Sequence, residues 1–523
     1  MAHKHTPPVA RSRREELTSG LGLRAAPTLA RLAATGLLVI PYAPLAAQTN
    51  LPRFERSDCR VDGPWTRDVR RECGWLVVPE ARDQSSARTI RLAVEIFRAL
   101  QPDDTPPVVF LHGGPGGVGG VRPYSEGVAR GSLSMHRDVV LYDQRGAGFS
   151  EPKLCSAYDR IAEAALNLVE GTEREQKLTE GRRACIAELE TQGIDRLAYN
   201  TVASVADLID LRRTLGYTSW DIYSASYGAR LAQEAMARDG SAIRSVVMAS
   251  PSARSFSFQA EQPLSTQRAL ELVFAECARE MLCREAFPDV EQDFYAAYDD
   301  LARAPIPVPI VRPDGAHDTI SFHGKRLVDD IRNLLVDQPR MAVARLPFLL
   351  HELRIGDRVR ASREFVGAGS APARLADRAL RELINCADRA THGAAYSKTL
   401  DSLNAIARAP FRRARDRKCD DWFPRSRDGT MPAPVSSDIP TLILTGQFDD
   451  RTPTEHARRI ASTLSRASLV EFPDEGHDGR GGPCHGQIVL RFLHNPTQQV
   501  DASCVATIPP ISFTTTWESA GRS

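Results

Sequence analysis

The serine at position 226 has the neighbours that a catalytic hydroxyl needs. It lies in the run DIYSASYGA, residues 221–229, between a short apolar segment and a segment with helical spacing. A strand-to-helix turn sharp enough to project a hydroxyl requires small residues two positions either side, here Ser224 and Gly228. The usual pattern at such turns is G-x-S-x-G, and serine replaces the first glycine here. We therefore predict that Ser226 is the nucleophile of an acyl-transfer reaction.

A serine nucleophile needs a general base, and the base needs an acid that orients it. Asp449 and His477 each follow a short apolar run, in the chain order serine, acid, histidine. We predict that His477 takes the proton of Ser226 and that Asp449 fixes the imidazole tautomer. Asp450 is an alternative acid, and His485 is an alternative base.

A glycine-rich loop, HGGPGG at 112–117, follows another apolar run. Such a loop can turn bare backbone N–H groups towards a reacting carbonyl oxygen. We predict an oxyanion hole formed by the N–H of Gly114 (or Gly113) and the N–H of Tyr227, the residue after the nucleophile. A phosphate-binding loop is disfavoured because the Lys-Ser/Thr ending of a P-loop is absent. His112 is predicted to brace the loop.

Along much of the chain, apolar and β-branched runs typical of strands alternate with segments that have the spacing of a helix. This alternation predicts a sheet covered by helices, which would position these side chains. The first two runs predict an antiparallel hairpin at a sheet edge, and the later ones predict buried strands of a mostly parallel sheet. The predicted strands are 74–79, 89–97, 107–112, 138–143, 220–223, 243–248, 441–445 and 468–472, and the predicted helices between them are 202–215, 228–238 and 455–464.

Between residues 251 and 436 this alternation stops, and the apolar residues have mainly helical spacing. At 523 residues the chain is too long for one core of ordinary size. We therefore predict an α/β core in two parts, residues 48–250 and 437–523, with a helical cap inserted between them. Residues 251–436 are called the cap segment below.

The N-terminal residues 1–47 have the order of a secretory signal peptide. Basic residues precede a short apolar run at 32–40, and small residues follow it. All ten cysteines lie beyond this leader, which fits an oxidising compartment and predicts a secreted or periplasmic protein. Pairing neighbours in order gives a hypothesis of five local disulfides, namely Cys59 with Cys73, Cys155 with Cys185, Cys277 with Cys283, Cys386 with Cys419, and Cys484 with Cys504.

The net charge and the cysteine and histidine spacing exclude several classes of binding partner. The formal net charge is +1, with 67 basic and 66 acidic residues, so no field would draw nucleic acid or an anionic membrane. The cysteine and histidine spacing does not match a zinc finger, and we expect no metal. The expected partner is a small peptide, aminoacyl or acyl substrate, with no nucleic acid and no stable insertion of the mature chain into a membrane.

Four motifs together resemble a known family. They are HGGPG at 112–116, DQRGAGFS at 143–150, the Ser-Tyr-Gly of the serine turn, and G-x-x-D-x-x-T-P at 446–453. They look like the proline iminopeptidase and tripeptidyl aminopeptidase group of serine peptidases. The part from 476 to 504 is similar to the TAP-like C-terminal region of secreted members.

The resemblance implies an α/β-hydrolase fold and cleavage of short peptides or aminoacyl conjugates at the free N-terminus, without a cofactor. It also implies cap carboxylates that bind the substrate ammonium, for which the candidates are Glu261, Glu271 and Glu276.

The leading hypothesis is an exopeptidase that releases N-terminal amino acids or short peptides through an acyl-enzyme. One alternative is a carboxylesterase or amidase acting on small non-peptide compounds, because the same groups serve any acyl transfer. A second alternative is a non-catalytic binding protein on a hydrolase fold, which the altered serine turn would suit.

Overall fold

The sheet domain and the cap segment are described in a computed structural model. It describes residues 51–82, 88–116, 120–165, 172–256, 258–311, 315, 317–369, 378–390, 393–412, 418–423, 432–477 and 482–520. The predicted leader, residues 1–47, lies outside the described residues.

A nine-stranded sheet runs through the protein in the order β1-β2-β3-β5-β4-β6-β7-β10-β11. The first four strands in this order pair antiparallel, and all later pairs, from β5/β4 to β10/β11, are parallel. The bounds are β1 Arg53–Arg56, β2 Arg71–Pro79, β3 Thr89–Phe97, β4 Val108–Leu111, β5 Val139–Tyr142, β6 Trp220–Ala225, β7 Ile243–Ala249, β10 Thr441–Gly446 and β11 Ala467–Phe472.

The neighbouring central strands β4 and β5 are apolar throughout because both faces of the sheet are covered. β4 reads VVFL and β5 reads VVLY, and every residue of β5 is buried. The predicted mostly parallel sheet is therefore confirmed. The predicted hairpin of β2 and β3 is also present, but it is not at the edge, because β1 pairs outside β2. β1 has four residues only, which is too short for its periodicity to stand out in the sequence.

Helices cover the sheet and build most of the cap segment. Outside that segment the bounds are α1 Val121–Arg130, α2 Ser156–Ala164, α3 Thr172–Thr191, α4 Thr201–Thr214, α5 Tyr227–Asp239, α15 Thr454–Ala461, α16 Pro483–His494 and α17 Trp517–Ala520. Within it they are α6 Phe258–Arg279, α7 Met281–Ala286, α8 Val290–Arg303, α9 Gly324–Asp337, α10 Pro339–Ile355, α11 Arg358–Gly369, α12 Arg378–Ala390, α13 Gly393–Ile406 and α14 Lys418–Trp422.

The cap segment also contains an antiparallel hairpin that the helical spacing does not predict. Its strands are β8 Ile306–Val311 and β9 His317–Phe322. Pro307 and Pro309 alternate along β8, and prolines argue against a strand in a sequence. A two-stranded ribbon tolerates them because each strand has a free edge.

The five predicted disulfides are confirmed. They join Cys59–Cys73, Cys155–Cys185, Cys277–Cys283, Cys386–Cys419 and Cys484–Cys504. Five bridges are typical of an extracellular or periplasmic protein, because the cytosol keeps thiols reduced. Within the described part of the chain, no helix has the length and apolar character that crossing a bilayer requires.

Candidate active site

Ser226 sits at a sharp turn between β6 and α5. Its φ and ψ are 53° and −118°, a conformation that L residues rarely adopt and that exposes the side chain at the strand end. The turn is held by the Ser226 N–H, which donates to the carbonyl of Ala249 at 2.9 Å. Gly228 is required here, because a Cβ at this position would lie 1.9 Å from the carbonyl oxygen of Leu111.

Ser224, which stands where glycine is usual, fits the turn without distortion. It is fully buried, and its hydroxyl donates to the carbonyl oxygen of Val247 on the neighbouring strand β7 at 2.8 Å. A buried hydroxyl is tolerated when it has such a partner. The replacement therefore leaves the geometry of the serine turn intact.

His477 connects the serine to Asp449. Its Nε2 lies 2.9 Å from Ser226 Oγ, and its Nδ1 lies 3.0 Å and 3.1 Å from the two carboxylate oxygens of Asp449. Because the carboxylate can only accept from Nδ1–H, Nε2 is left with a lone pair for the serine proton. The structure thus brings the three predicted side chains into one hydrogen-bonded chain.

Asp449 is completely buried at the end of β10. Burial by itself would raise its pKa, but the pKa lies below the usual value because His477 and Thr452 stabilise the charged carboxylate. The N–H groups of Arg451 and Thr452 both donate to Oδ1 at 2.8 Å. These contacts favour the ionised form of Asp449.

The glycine loop lies directly against the serine. A Cβ on Gly113 would come 2.9 Å from Ser226 Cβ, so only glycine allows this approach. Ring nitrogen Nδ1 of His112 donates to the Gly113 carbonyl at 2.7 Å, and burial lowers the pKa of His112 to about 4. The neutral ring fixes the 113–114 peptide. Gly114 has a φ of 133°, which favours glycine.

The second predicted oxyanion donor, Tyr227, is the first residue of α5. N–H groups in the first turn of a helix have no partner within the helix, so this one is available to a ligand. The phenol of Tyr227 is buried, and its hydroxyl oxygen lies 2.9 Å from Thr201 Oγ1. This contact holds the side chain in place. The oxyanion role of both donors stays a prediction.

The turn after β5 supports the glycine loop. Asp143 accepts from the N–H of Val121 at 2.8 Å and from the N–H of Phe149 at 2.7 Å. Gln144 donates to the His112 carbonyl at 3.1 Å. Burial raises the pKa of Asp143 to about 6. None of these contacts involves Ser226, so the group acts as a scaffold for the loop.

The alternative acid and base have other partners. Asp450 is buried and accepts from Arg332 Nε of α9 at 2.9 Å, so it links the cap segment to the acid loop. His485 is buried on α16, stacks on Phe472 and lies 3.5 Å from Tyr223 OH. Neither contacts Ser226 or His477 directly among the described residues.

The three candidate ammonium-binding carboxylates have protein partners of their own. Glu261 lies 3.1 Å from His456 Nε2, and Glu276 accepts from Arg279 at 2.6 Å. Glu271 accepts from Gln267 at 2.9 Å on the same helix. Among the contacts of the described residues, none joins these carboxylates to the serine, acid or histidine.

Two residues near the histidine were not among the predicted site residues. Thr452 contacts both Asp449 and His477, and the carbonyl of Ser250 accepts from the Thr452 hydroxyl. Thr452 belongs to the motif at 446–453, so the sequence could have indicated it as a site residue. For Ser250 the sequence holds no such signal.

Comparison with protein families places this site in context. Residues 106–284 match the family model of the alpha/beta hydrolase fold, and residues 407–504 match that of TAP-like proteins. The chain has the α/β-hydrolase fold. Enzymes of this fold carry their nucleophile on a turn between a strand and a helix, where Ser226 lies here.

Solved structures similar to this chain include a proline iminopeptidase, a proline iminopeptidase-related protein and an esterase. A proline iminopeptidase from Mycobacterium smegmatis is 15% identical with a TM-score of 0.39, over 81% of this chain and 98% of its own. A proline iminopeptidase-related protein from Thermus thermophilus is 19% identical with a TM-score of 0.35, over 82% and 98%. A thermophilic esterase from Thermogutta terrifontis is 15% identical with a TM-score of 0.33, over 80% and 97%. No curated protein matches the chain. Likenesses of this size say nothing about the substrate.

Proposed function

We propose that this hydrolase is a serine hydrolase in which Ser226, His477 and Asp449 form the catalytic triad. The observation that carries the proposal is the 2.9 Å contact between His477 Nε2 and Ser226 Oγ. It joins a nucleophile to a base whose other nitrogen is held by a buried carboxylate. This is the relation that acyl transfer by a serine requires.

The reaction then has two halves. His477 Nε2 takes the proton of Ser226 as Oγ attacks the substrate carbonyl carbon, and the carbonyl oxygen becomes an oxyanion. The N–H groups of Gly114 and Tyr227 stabilise this charge, and each such donor contributes about a hundredfold to a thousandfold in rate. The imidazolium gives its proton to the leaving group, and an acyl-enzyme remains. Water, deprotonated by His477, hydrolyses that ester and regenerates Ser226.

We propose an exported exopeptidase that releases N-terminal amino acids or short peptides. Two observations support this substrate class: the TAP-like match at 407–504, and the motifs at 112–116 and 143–150 that resemble the proline iminopeptidase group. The five disulfides support export.

The test uses the purified protein and a panel of chromogenic substrates. The panel contains proline, alanine and tripeptidyl nitroanilides, their N-blocked versions, and a short-chain nitrophenyl ester. We expect turnover of the free-amine substrates only, and loss of this turnover in Ser226→Ala. Full activity of Ser226→Ala would refute the triad, and covalent labelling of the wild type by a fluorophosphonate gives an independent readout. A protein that is neither active nor labelled would be a non-catalytic binding protein.

A carboxylesterase or amidase is the second candidate, and one observation favours it. Glu261, Glu271 and Glu276 each have a protein partner, so none of them is reserved for a substrate ammonium. An enzyme for small esters or amides needs no such carboxylate. Turnover of the nitrophenyl ester and of blocked amides, at rates equal to those of the free amines, would favour this candidate.

A further inference from the structure

The hydroxyl of Thr452 contacts both Asp449 and His477. Its Oγ1 lies 2.8 Å from Asp449 Oδ2, 3.0 Å from His477 Nδ1 and 2.7 Å from the carbonyl oxygen of Ser250. The Thr452 N–H donates to the other carboxylate oxygen of Asp449. The residue is 1% exposed, so these contacts are made away from bulk water. Such contacts are stronger in the interior than at the surface.

The number of hydrogens decides what this hydroxyl can do. Nδ1 of His477 carries a hydrogen, because Nε2 must be free to accept the proton of Ser226. The single hydroxyl hydrogen of Thr452 is taken by Asp449 Oδ2 or by the Ser250 carbonyl, which both lie closer to Oγ1 than Nδ1 does. A lone pair of Oγ1 therefore faces the Nδ1–H, beside the carboxylate.

Ser250 ties Thr452 to the turn that holds the nucleophile. Ser250 follows β7 with a φ of 46°, an unusual conformation for a residue other than glycine. The carbonyl oxygen of Ser250 lies 2.7 Å from Thr452 Oγ1. Two residues on, the N–H of Ser252 donates to the Ser226 carbonyl at 3.1 Å. One short loop thus contacts both the serine turn and the acid loop.

We propose that Thr452 is a positioning residue of this site. Its N–H holds the Asp449 carboxylate, and its hydroxyl oxygen holds the Nδ1–H of His477 in the orientation that directs Nε2 at Ser226. The proposal rests on the proposed serine-hydrolase function. It extends that function from three side chains to a fourth, which touches neither the substrate nor the nucleophile.

The test compares Thr452→Val, which removes the hydroxyl at equal volume, with Thr452→Ser, which keeps it. We expect kcat to fall about tenfold to a hundredfold in Thr452→Val with KM little changed, as for one hydrogen bond to a charged group. Thr452→Ser should match the wild type in kcat and in KM.

Two results would overturn the role of Thr452. They are a Thr452→Val variant equal to the wild type, and equal losses in Thr452→Val and Thr452→Ser. If Thr452→Val does not fold, Thr452→Ala removes the same hydroxyl.

The downfield proton resonance of His477 Nδ1–H provides a readout that does not depend on turnover. It should shift in the valine or alanine variant and stay in the serine variant. An inactive, unlabelled wild type would overturn the proposed function itself. An active wild type with an unshifted resonance in Thr452→Val would overturn only the role of Thr452.

Discussion

Two adjacent aspartates follow β10, and their side chains face different partners. Asp449 contacts His477 at 3.0 Å, whereas Asp450 accepts from Arg332 of the cap segment at 2.9 Å. Both are fully buried, so burial does not distinguish them. The difference between the proposed orienting acid and an ion pair with the cap segment therefore lies in the direction of two neighbouring side chains.

The same pair gives a residue-scale prediction. Asp449→Asn should lower kcat by about a thousandfold to ten-thousandfold, because an amide no longer fixes the Nδ1–H tautomer. Asp450→Asn, the matched control, should keep most of its kcat but lose about 3 kcal/mol of unfolding free energy, because the buried Arg332 loses the carboxylate at 2.9 Å and keeps the one of Asp329 at 3.6 Å. Steady-state kinetics and urea denaturation of the two variants measure both effects. The reverse pattern would assign the acid to Asp450.

At the scale of elements, α9 of the cap segment packs against the loop that carries the histidine. Gly476 precedes His477, and a Cβ on it would lie 2.0 Å from the backbone carbonyl oxygen of Leu335. Asp450 and Arg332 form an ion pair between the same helix and the acid loop. A shift of α9 would therefore affect both loops, which carry the proposed base and the proposed acid.

Gly476→Ala tests this contact. The new methyl group has no room beside a backbone atom, so α9 or the loop must shift, and overpacking of this kind costs about 1 to 3 kcal/mol. We expect a lower melting temperature and a lower kcat. Gly486→Ala is the control, because nothing lies within 4 Å of its Cβ and alanine stabilises a helix interior by about 1 kcal/mol. Wild-type kcat in Gly476→Ala would show that the loop adjusts without cost to the site.

For the whole molecule, a buried carboxyl in the cap segment makes stability depend on pH. Asp330 is 1% exposed, and burial raises its pKa to about 7, although Arg326 counteracts the shift through a contact of 2.8 Å. Asp329 beside it adds to the increase. The folded state therefore binds a proton more tightly than the unfolded chain, whose aspartates titrate near pH 4.

The raised pKa of Asp330 in the folded state fixes the direction of the pH dependence. The contribution of Asp330 to the unfolding free energy is fully present below about pH 4 and is lost as the pH rises through about 7. Relative to Asp330→Asn, the wild type should lose up to about 4 kcal/mol over this range. Urea denaturation at several pH values measures the difference, with the exposed Glu126→Gln as the control. Parallel curves for the wild type and Asp330→Asn would contradict the prediction.

The sequence by itself determined the features that depend on local chemistry. Small residues around Ser226 predict a sharp turn, apolar runs predict buried strands, and glycines at 113 and 114 predict a bare backbone. The five disulfides were predictable because each joins neighbouring cysteines. In each case the information lies within a few residues or in the order of one residue type.

Only the tertiary structure decided which side chains meet across the chain. Ser226 and His477 are 251 positions apart, and no periodicity encodes their contact. The choice of Asp449 over Asp450, the pairing of Glu261 with His456 and the position of Thr452 all depend on how loops from separate strands come together. The reason is physical: a residue pattern records which groups are buried, whereas hydrogen-bond partners depend on distances of a few tenths of an ångström between groups remote in the chain.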